Sequence, residues 1–272
     1  IRLSDGRAYR FRALGPDRLR VVSRGRTRAR LRAPVTVTGG SSTCLRGMAE
    51  NGLRNGSYRG RMVLSRDGSA VLAVNHVSLE HYLYGVVPAE MPATWPAEAL
   101  QAQSVVARSY ALRSLRPDFA FDVYADVRSQ VYRGVDHETD ATTAAVRATR
   151  ARVVLAGGEV AQTFFFSTSG GRTAGNEEVW GGEPIAYLRP VEDPHDDLSP
   201  YHTWEARFTR REAGRKLRGL TPGSFRGLEI VSRTASGRAE IVGIRGTDGT
   251  NRVPAATIRL RLELRSTWFD VR

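Results

Sequence analysis

Glu90 is the carboxyl group of this sequence whose surroundings best suit acid catalysis. Its near neighbours in the chain are mostly apolar: Val86, Val87, Met91 and Trp95. An apolar environment raises the pKa of a carboxyl group and keeps it protonated near neutral pH. A protonated carboxyl group held in one place is what glycoside cleavage requires of its general acid.

A helical segment from Ala97 to Leu112 follows Glu90 and is free of Gly and Pro. Proline is tolerated at the first helical position, so Trp95-Pro96 is typical of a helix start. One helix face carries residues spaced three or four apart: Leu100, Gln103, Ala107, Tyr110 and Ser114. We therefore expect Glu90 in a rigid, proline-flanked turn before this helix, with Arg108 and Tyr110 further along it.

Other residues are weaker candidates for catalysis. Glycosidases usually employ two carboxylates, and Glu98 is the second one near Glu90. It falls in the first helical turn, where the helix dipole stabilises a negative charge, so a structural role explains it. Ser167 and Ser169 lack the GxSxG context of a nucleophilic serine, and no signature surrounds Cys44.

Two groups of residues contain metal-ligand types. They are His137, Glu138 and Asp140, and then His195, Asp196 and Asp197 with His202. No pair has the HExxH spacing, and the single cysteine, Cys44, excludes a Cys-rich zinc site and an intrachain disulfide. We favour structural or surface histidines, and we predict no metal and no cofactor.

The charge balance is 41 − 28 = +13, and Lys216 is the one lysine. Such a surface favours polyanionic partners: nucleic acid, anionic lipid or anionic wall polymers. No nucleic-acid reader motif accompanies the charge, so specific nucleic-acid binding is not expected. A strip of arginines at positions 24, 26, 28, 30 and 32 would share one face of a strand. It could bind anions, but we favour a plain solvated face, as charge runs usually are.

The remaining pattern predicts an α+β chain that is β-rich up to about residue 80. Apolar content of 41% indicates a globular protein, and no window is apolar enough for a membrane span. Predicted strands include Phe121–Ala125 and Val160–Phe166, and Asp67-Gly68 indicates a hairpin. Predicted helices begin after Ser78, at Thr139 and at Phe208, the last with Thr209 as N-cap. Pro254–Leu264 alternates like a strand but starts like a helix, and we favour a helix. A hydroxyl-rich loop, Ser167–Thr173, offers N–H groups and hydroxyls to a ligand, unless it is an ordinary turn.

The stretch YLYGVVPAEMPATWPAEALQAQSVVARSYAL, from Tyr82 to Leu112, resembles the signature of the SpoIID/LytB family of bacterial peptidoglycan proteins. The resemblance covers roughly residues 58 to 272. Further matching motifs are Gln130-Val131-Tyr132-Arg133-Gly134, Phe166 to Thr173, Trp180, Tyr187-Leu188, Gly246 to Gly249 and Leu264 to Phe269. It implies a mixed SpoIID-like α+β core in residues 58–272, with a β-rich N-terminal region in residues 1–57.

The enzymes of that family are lytic transglycosylases, which cut glycan strands between N-acetylmuramic acid and N-acetylglucosamine. The resemblance makes Glu90 the catalytic residue. In this reaction the 6-hydroxyl of the sugar attacks the anomeric carbon and gives a 1,6-anhydro product, so one carboxyl group serves as acid and then as base. The resemblance implies that sugar-binding residues line one groove with Glu90: Arg108, Tyr110, Ser167, Ser169, Gly170, Gly171, Thr173 and Trp180.

By the same resemblance, Arg108 would hold a substrate carboxylate or acyl oxygen and Tyr110 would orient Glu90. Some relatives hold zinc partly through cysteines, which this chain lacks. Others enhance a cell-wall amidase, so the alternative function is a non-catalytic glycan-binding module. The expected partners are peptidoglycan glycan strands, with anionic wall polymers or an amidase as further ones. The chain begins at Ile1 without a signal segment, and we expect a processed or trimmed protein that acts outside the cell, in the wall.

Overall fold

The computed structural model describes residues 2–4 and 6–272. The fold is α+β, as predicted, and strands are concentrated in the N-terminal part. The chain divides into two compact units, Ile1–Phe165 and Phe166–Arg272. Sequence patterns do not reveal this division, and the expected boundary between residues 57 and 58 stays a prediction.

The first unit begins with two three-stranded antiparallel sheets. The first has the order β1-β2-β3, and the second has the order β4-β7-β8. Their strands are β1 (Arg10–Leu14), β2 (Arg18–Ser23), β3 (Arg26–Arg32), β4 (Val35–Thr38), β7 (Arg61–Asp67) and β8 (Ala70–His76), with a small pair β5 (Thr43–Cys44) and β6 (Ser57–Tyr58) between. The predicted hairpin at Gly68 is confirmed, since Asp67 pairs with Ala70 and Gly68 has φ +58°.

The arginine strip is shorter than predicted at its N-terminal end. Arg24 lies in the turn between β2 and β3 with φ 51°, followed by Gly25 with φ 71°, so the prediction of Arg24 in the strand is wrong. Two consecutive left-handed residues make a tight hairpin turn. The four remaining arginines of the strip belong to β3.

Three helices pack in the first unit: α1 (Leu79–Glu90), α2 (Ala97–Arg113) and α3 (Asp140–Ala148). Helix α1 begins after Ser78, as predicted, and α3 begins one residue after the predicted start at Thr139. Ser78 and Thr139 are their N-caps. Pro96 is the N-cap of α2 rather than its first helical residue. The core contains side chains with no exposed surface, which are Leu83, Val86, Val87, Ala107 and Val146 among others.

Glu90 is the last residue of α1, so the prediction that it lies in a separate turn is wrong. Pro88 is tolerated inside the last turn of the helix. A helical proline removes one backbone hydrogen bond. The complete burial of Leu83, Val86 and Val87 outweighs that loss, and the N–H of Met91 still donates to the carbonyl of Val87. Glu90 therefore occupies a helix C-terminus.

One predicted strand of the first unit is wrong, and another is shorter than predicted. Phe121–Ala125 is irregular, because the Arg116 side chain donates to the carbonyls of Phe121 and Asp122 and takes the place of a partner strand. The strand predicted for Val160–Phe166 ends at Val160. It is β10 (Glu159–Val160), which forms a hairpin with β9 (Leu155–Ala156), and each of these strands has two residues. Beyond it the Thr163 hydroxyl donates to the carbonyl of Val106 on α2.

The second unit is built around a three-stranded antiparallel sheet of order β11-β12-β13. Its elements are α4 (Asn176–Trp180), α5 (Arg210–Lys216), β11 (Phe225–Arg233), β12 (Ala239–Gly246), β13 (Gly249–Pro254) and α6 (Ala255–Leu262). Thr209 caps α5 in a capping box with Glu212, and α6 confirms the predicted helix after Pro254. Across residues 2–4 and 6–272, none of the helices combines the length and apolar character needed to cross a bilayer.

Candidate functional site

The carboxyl group of Glu90 is half-buried at the C-terminus of α1. Its Oε1 accepts a hydrogen bond of 2.7 Å from the backbone N–H of Val131. Burial raises the pKa of the Glu90 carboxyl group, while the Val131 N–H and the charge of Arg133 lower it in part. The negative end of the helix dipole also disfavours a carboxylate here. The net upward shift of the pKa suits a group that must donate a proton.

Val131 and Arg133 belong to a segment that crosses the end of α1. The N–H of Arg133 donates to the carbonyl of Gly85 in α1 over 3.1 Å. Gly85 makes this approach feasible, because a Cβ there would lie 2.7 Å from the Tyr132 ring and 2.9 Å from the Gly134 nitrogen. The segment 130–134 was singled out by its family motif, but no pattern in the sequence assigned its backbone to Glu90.

Arg133 is a charged residue of this site that the sequence analysis missed. It is half-buried, its charge acts on Glu90, and its Nε is buried without a hydrogen-bond partner. In the part of the chain that the structure describes, it is the one charged group that shifts the pKa of Glu90. Among the described residues, no carboxylate contributes to the pKa shift of Glu90.

Arg108 does not offer its guanidinium to a ligand. Its side chain is 1% exposed and forms a two-pronged ion pair with Glu80 on α1, with both N–O distances at 2.9 Å. Its other donors bind the carbonyls of Ser104, Val146 and Arg152. All five N–H groups of the guanidinium are therefore occupied. The structure leaves no donor of Arg108 for a substrate, so the expected contact gains no support and stays a prediction. Arg108 instead joins α1, α2 and the end of α3.

Tyr110 contacts aromatic rings rather than the catalytic carboxyl. Its ring centroid lies 6.3 Å from that of Phe164 and 6.5 Å from that of Phe165. No hydrogen bond joins Tyr110 to Glu90 within residues 2–4 and 6–272. The orienting contact comes from Val131 instead, and a sugar-binding role for Tyr110 stays a prediction.

Tyr82 and Gln130 form a buried polar pair near Glu90. The Tyr82 hydroxyl donates to Gln130 Oε1 over 3.3 Å, and Gln130 Nε2 donates to the carbonyl of Ala107. Burial raises the pKa of Tyr82, and the charges of Tyr110 and Glu90 add to this shift. The pair ties α1 and α2 to the segment that carries Val131.

In the second unit, the loop Ser167–Thr173 folds around the carboxylate of Asp196. This side chain is 3% exposed, and it accepts hydrogen bonds from the backbone N–H groups of Ser169 (2.6 Å) and Gly170 (2.9 Å). The ring Nδ1 of His202 lies 2.7 Å from the same carboxylate. Burial alone would raise the pKa of Asp196, but these hydrogen bonds outweigh it and lower the pKa.

Arg238 holds the same loop in place through hydrogen bonds to its carbonyl groups. Its guanidinium donates to the carbonyls of Ser169, Arg172 and Thr173 and stacks on Trp268, 4.8 Å from the ring centre. Gly170 has φ +80°, and a Cβ on it would lie 3.1 Å from Trp268. The loop is therefore a rigid, internally bonded structure, which is more than the ordinary turn considered from the sequence.

Several predicted sugar contacts in the second unit have internal partners. The Ser169 hydroxyl donates to Asp193, the Gly171 N–H donates to the Ser169 hydroxyl, and the Thr173 hydroxyl accepts from the N–H of Val191. Ser167 is exposed, and Trp180, at the end of α4, is 61% exposed. These two residues present the most surface to a ligand, and the sugar-binding roles of the whole set stay predictions.

Comparison with protein families gives the SpoIID family, described as stage II sporulation protein, over residues 67–155. That segment contains Glu90, Val131 and Arg133. The match over residues 67–155 supports the SpoIID family for this chain. The SpoIID match lies within the first unit.

Individual SpoIID relatives extend the likeness. The chain is 30% identical over 215 residues to stage II sporulation protein D of Bacillus subtilis, covering 73% of this chain and 61% of that protein. It is 34% identical over 148 residues to a protein of Brachyspira hyodysenteriae, covering 53% and 39% of the two chains. It is 32% identical over 139 residues to the amidase enhancer of Bacillus subtilis, covering 51% and 18%. The chain thus spans less than two thirds of these relatives.

Several side chains in and beside the two histidine groups bind other parts of this chain. Glu138 forms a two-pronged ion pair with Arg59 at 2.7 and 2.6 Å, and Asp136 accepts from the N–H of Ser57. His202 is held by Asp196. Among the described residues, no three or more His, Cys, Asp and Glu side chains are arranged to hold a metal ion.

Proposed function

We propose that this chain is a peptidoglycan lytic transglycosylase in which Glu90 is the general acid and base. The observation that supports it most is the state of that carboxyl group. It is half-buried at a helix C-terminus, its pKa is raised, and it lies in the segment that matches the SpoIID family. The relatives are named a sporulation protein and an amidase enhancer, and these names support the cell-wall setting that we propose for this chain.

The proposed reaction needs one carboxyl group. Protonated Glu90 gives its proton to the glycosidic oxygen as the bond from the anomeric carbon to that oxygen breaks. The 6-hydroxyl of the same N-acetylmuramic acid then attacks the anomeric carbon, and the Glu90 carboxylate takes the hydroxyl proton. The product is a 1,6-anhydro sugar, no water is consumed, and Glu90 is again protonated. The absence of a second carboxylate effect on Glu90, among the described residues, agrees with this scheme.

Arg133 replaces Arg108 as the proposed cation of the site. A guanidinium beside the reacting sugar can bind a lactyl or peptide carboxylate of the glycan. Arg133 has a buried donor without a partner, whereas every donor of Arg108 is occupied. Trp95 is 49% exposed five residues after Glu90, and its ring is a candidate surface for sugar stacking.

Digestion of peptidoglycan tests the proposal directly. The substrates are intact peptidoglycan and glycan strands stripped of stem peptides, and mass spectrometry detects the 1,6-anhydro ends. Wild type should produce these ends and Glu90→Gln should not. Glu98→Gln is the matched control, because Glu98 is exposed in the first turn of α2. Equal yields from wild type and Glu90→Gln would refute the catalytic role of Glu90.

The amidase enhancer relative favours a second candidate function, a glycan-binding module that assists an amidase. This candidate predicts glycan binding without anhydro ends from any variant, on either substrate. It also predicts that the chain accelerates peptide release by an added cell-wall amidase, and that Glu90→Gln does so equally well. Anhydro ends from wild type alone exclude this candidate as the sole function.

A further inference from the structure

The β1-β2-β3 sheet of the first unit carries arginines on all three strands of one face. We call the outward side chains the arginine face: Arg10, Arg12, Arg18, Arg20, Arg30 and Arg32. The opposite face is apolar, with Leu19 and Val21 fully buried. Only β3 was anticipated from the sequence, because the contributions of β1 and β2 appear once the strands are paired.

The strand register brings these arginines into direct opposition. Arg20 of the central strand is paired with Arg12 on one side and with Arg30 on the other, and Arg18 is paired with Arg32. Neighbouring strands are about 4.8 Å apart, so a row of three arginines spans about 10 Å. Like charges directly opposite one another in a sheet destabilise it. The arrangement is therefore unfavourable for the isolated fold.

Carboxylates do little to relieve this repulsion. Asp17 lies 3.3 Å from Arg32 and 4.0 Å from Arg18. In the residues that the structure describes, neither Arg12 nor Arg30 has a carboxylate partner, and the Nε of Arg20 is buried without a hydrogen bond. A solvated charge run would have room to spread its side chains into water. Here the central arginine, Arg20, is half-buried between two others, so its guanidinium has less room to move away from them.

We propose that the arginine face binds a linear polymer of phosphodiester-linked polyols. Guanidinium groups pair with phosphate oxygens through two parallel hydrogen bonds, and a row of them matches a chain that carries one negative charge per repeat. Binding replaces the repulsion between arginines with attraction to each of them. The choice of a wall polymer rests on the cell-wall setting of the proposed function, whereas the arginine face does not depend on Glu90.

The composition of the face argues against single-stranded nucleic acid. Proteins that bind single strands supply aromatic rings on which bases stack. The outward residues of β1 and β2 other than arginine are Leu14 and Val22, and the aromatic Phe11 points to the apolar side. A polymer without bases loses nothing on such a surface. The face therefore fits a polyol phosphate better than an oligonucleotide.

Binding of the whole chain to labelled poly(glycerol phosphate) tests the proposal. The variant R12Q/R20Q/R30Q removes the central row, and the control R226Q/R252Q/R261Q removes three exposed arginines of the second unit. We expect the first variant to lose about tenfold or more in affinity for the polymer. The slope of log affinity against log salt concentration should also be smaller, by an amount equal to the loss of about two to three phosphate contacts. We expect the control to lose far less, and the Tm of the first variant to stay equal or rise because repulsion is relieved.

Three outcomes would overturn the proposal. Equal losses in the two triple variants would mean that net charge alone attracts the polymer. Tighter binding of a single-stranded oligonucleotide with the same number of phosphates, through the same arginines, would make nucleic acid the partner. Absence of polymer binding to wild type would leave the face without this role. Glu90→Gln should bind the polymer as wild type does, so failure of glycan cleavage and failure of polymer binding are separate results.

Discussion

The backbone N–H of Val131 donates a 2.7 Å hydrogen bond to the carboxyl group of Glu90. One carboxyl oxygen is thereby fixed by the main chain, and the other is available for a proton. A hydrogen bond to the ionised form lowers the pKa, yet burial raises it further than this bond lowers it. The carboxyl group is thus oriented as well as kept ready to donate.

Arg133→Gln should move the pH dependence of glycan cleavage. Arg133 lowers the pKa of Glu90, so its removal should raise that pKa further. Since the acid must be protonated, the basic limb of the kcat/KM profile should shift to higher pH. Arg133→Lys keeps the charge and serves as the control. The basic limb of its kcat/KM profile should lie close to that of wild type. A limb that moves to lower pH in the Gln variant would contradict the assigned electrostatics.

Glu90→Gln should be at least as stable as wild type at and above neutral pH. A carboxyl group whose pKa is raised in the folded state stabilises the fold below its unfolded pKa, about 4.3, and this contribution is lost as pH rises through the folded pKa. The amide has no charge to bury, and its oxygen can still accept from Val131. Thermal melts from acid to alkaline pH should show a higher Tm for Glu90→Gln than for wild type, and this difference in Tm should disappear at low pH. A variant less stable than wild type at alkaline pH would disprove this.

Arg108→Gln should reduce stability rather than substrate affinity alone. Breaking a buried ion pair by removal of one partner costs about 3 kcal/mol or more in the free energy of unfolding. Here three carbonyl groups and Glu80 would also lose their donors. Urea denaturation of the variant measures the loss. A raised KM with unchanged unfolding would restore Arg108 as a substrate contact.

Asp196→Asn should destabilise the second unit. Asp196 accepts from two backbone N–H groups and from His202, and an amide cannot accept from all three. The loss of a buried charged acceptor costs about 2 kcal/mol or more. Because hydrogen bonds lower the pKa of Asp196, its stabilising effect in wild type is present above the unfolded pKa and fades as pH falls. Asp197→Asn is the control, since Asp197 is exposed.

Amide hydrogen exchange tests the predicted effect of Asp196→Asn residue by residue. Faster exchange should appear at the amides of Ser169 and Gly170, which lose their acceptor in Asp196→Asn. Unchanged protection at these two amides would mean that the loop does not depend on Asp196. The exchange of amides in β12, which carries core residues of the second unit, serves as an internal reference for unfolding of that unit.

Local signals in the sequence predicted those elements whose causes are local. Helix α2 ends within one residue of its predicted limit, because strong helix formers and Pro96 define it without help from the rest of the chain. The caps Ser78, Thr139 and Thr209 are likewise set by side chains that bind the first turn. Glu90 was singled out by the apolar character of its neighbours, of which Val86 and Val87 are fully buried and Trp95 is exposed.

Contacts between distant parts of the chain could not be predicted in the same way. Glu80 lies 28 residues from Arg108, so their ion pair has no signature in either local sequence. Pro88 suggested a turn because proline breaks helices, but tertiary burial of α1 overrides that tendency. Val131 reaches Glu90 through its backbone, and a backbone contact leaves no trace in residue type. The register of the arginine face is a further long-range property.

The close approach at Gly85 has a consequence for how this protein could diverge or be redesigned. The end of α1 and the segment that carries Val131 meet main chain to main chain. Backbone atoms, which are present whatever the side chains, therefore fix the position of the Glu90 carboxyl group. Side chains elsewhere around the carboxyl group could be exchanged to recognise different glycans without displacing it. Such a framework separates the placement of the reacting group from the choice of substrate, and it would suit the engineering of new specificities.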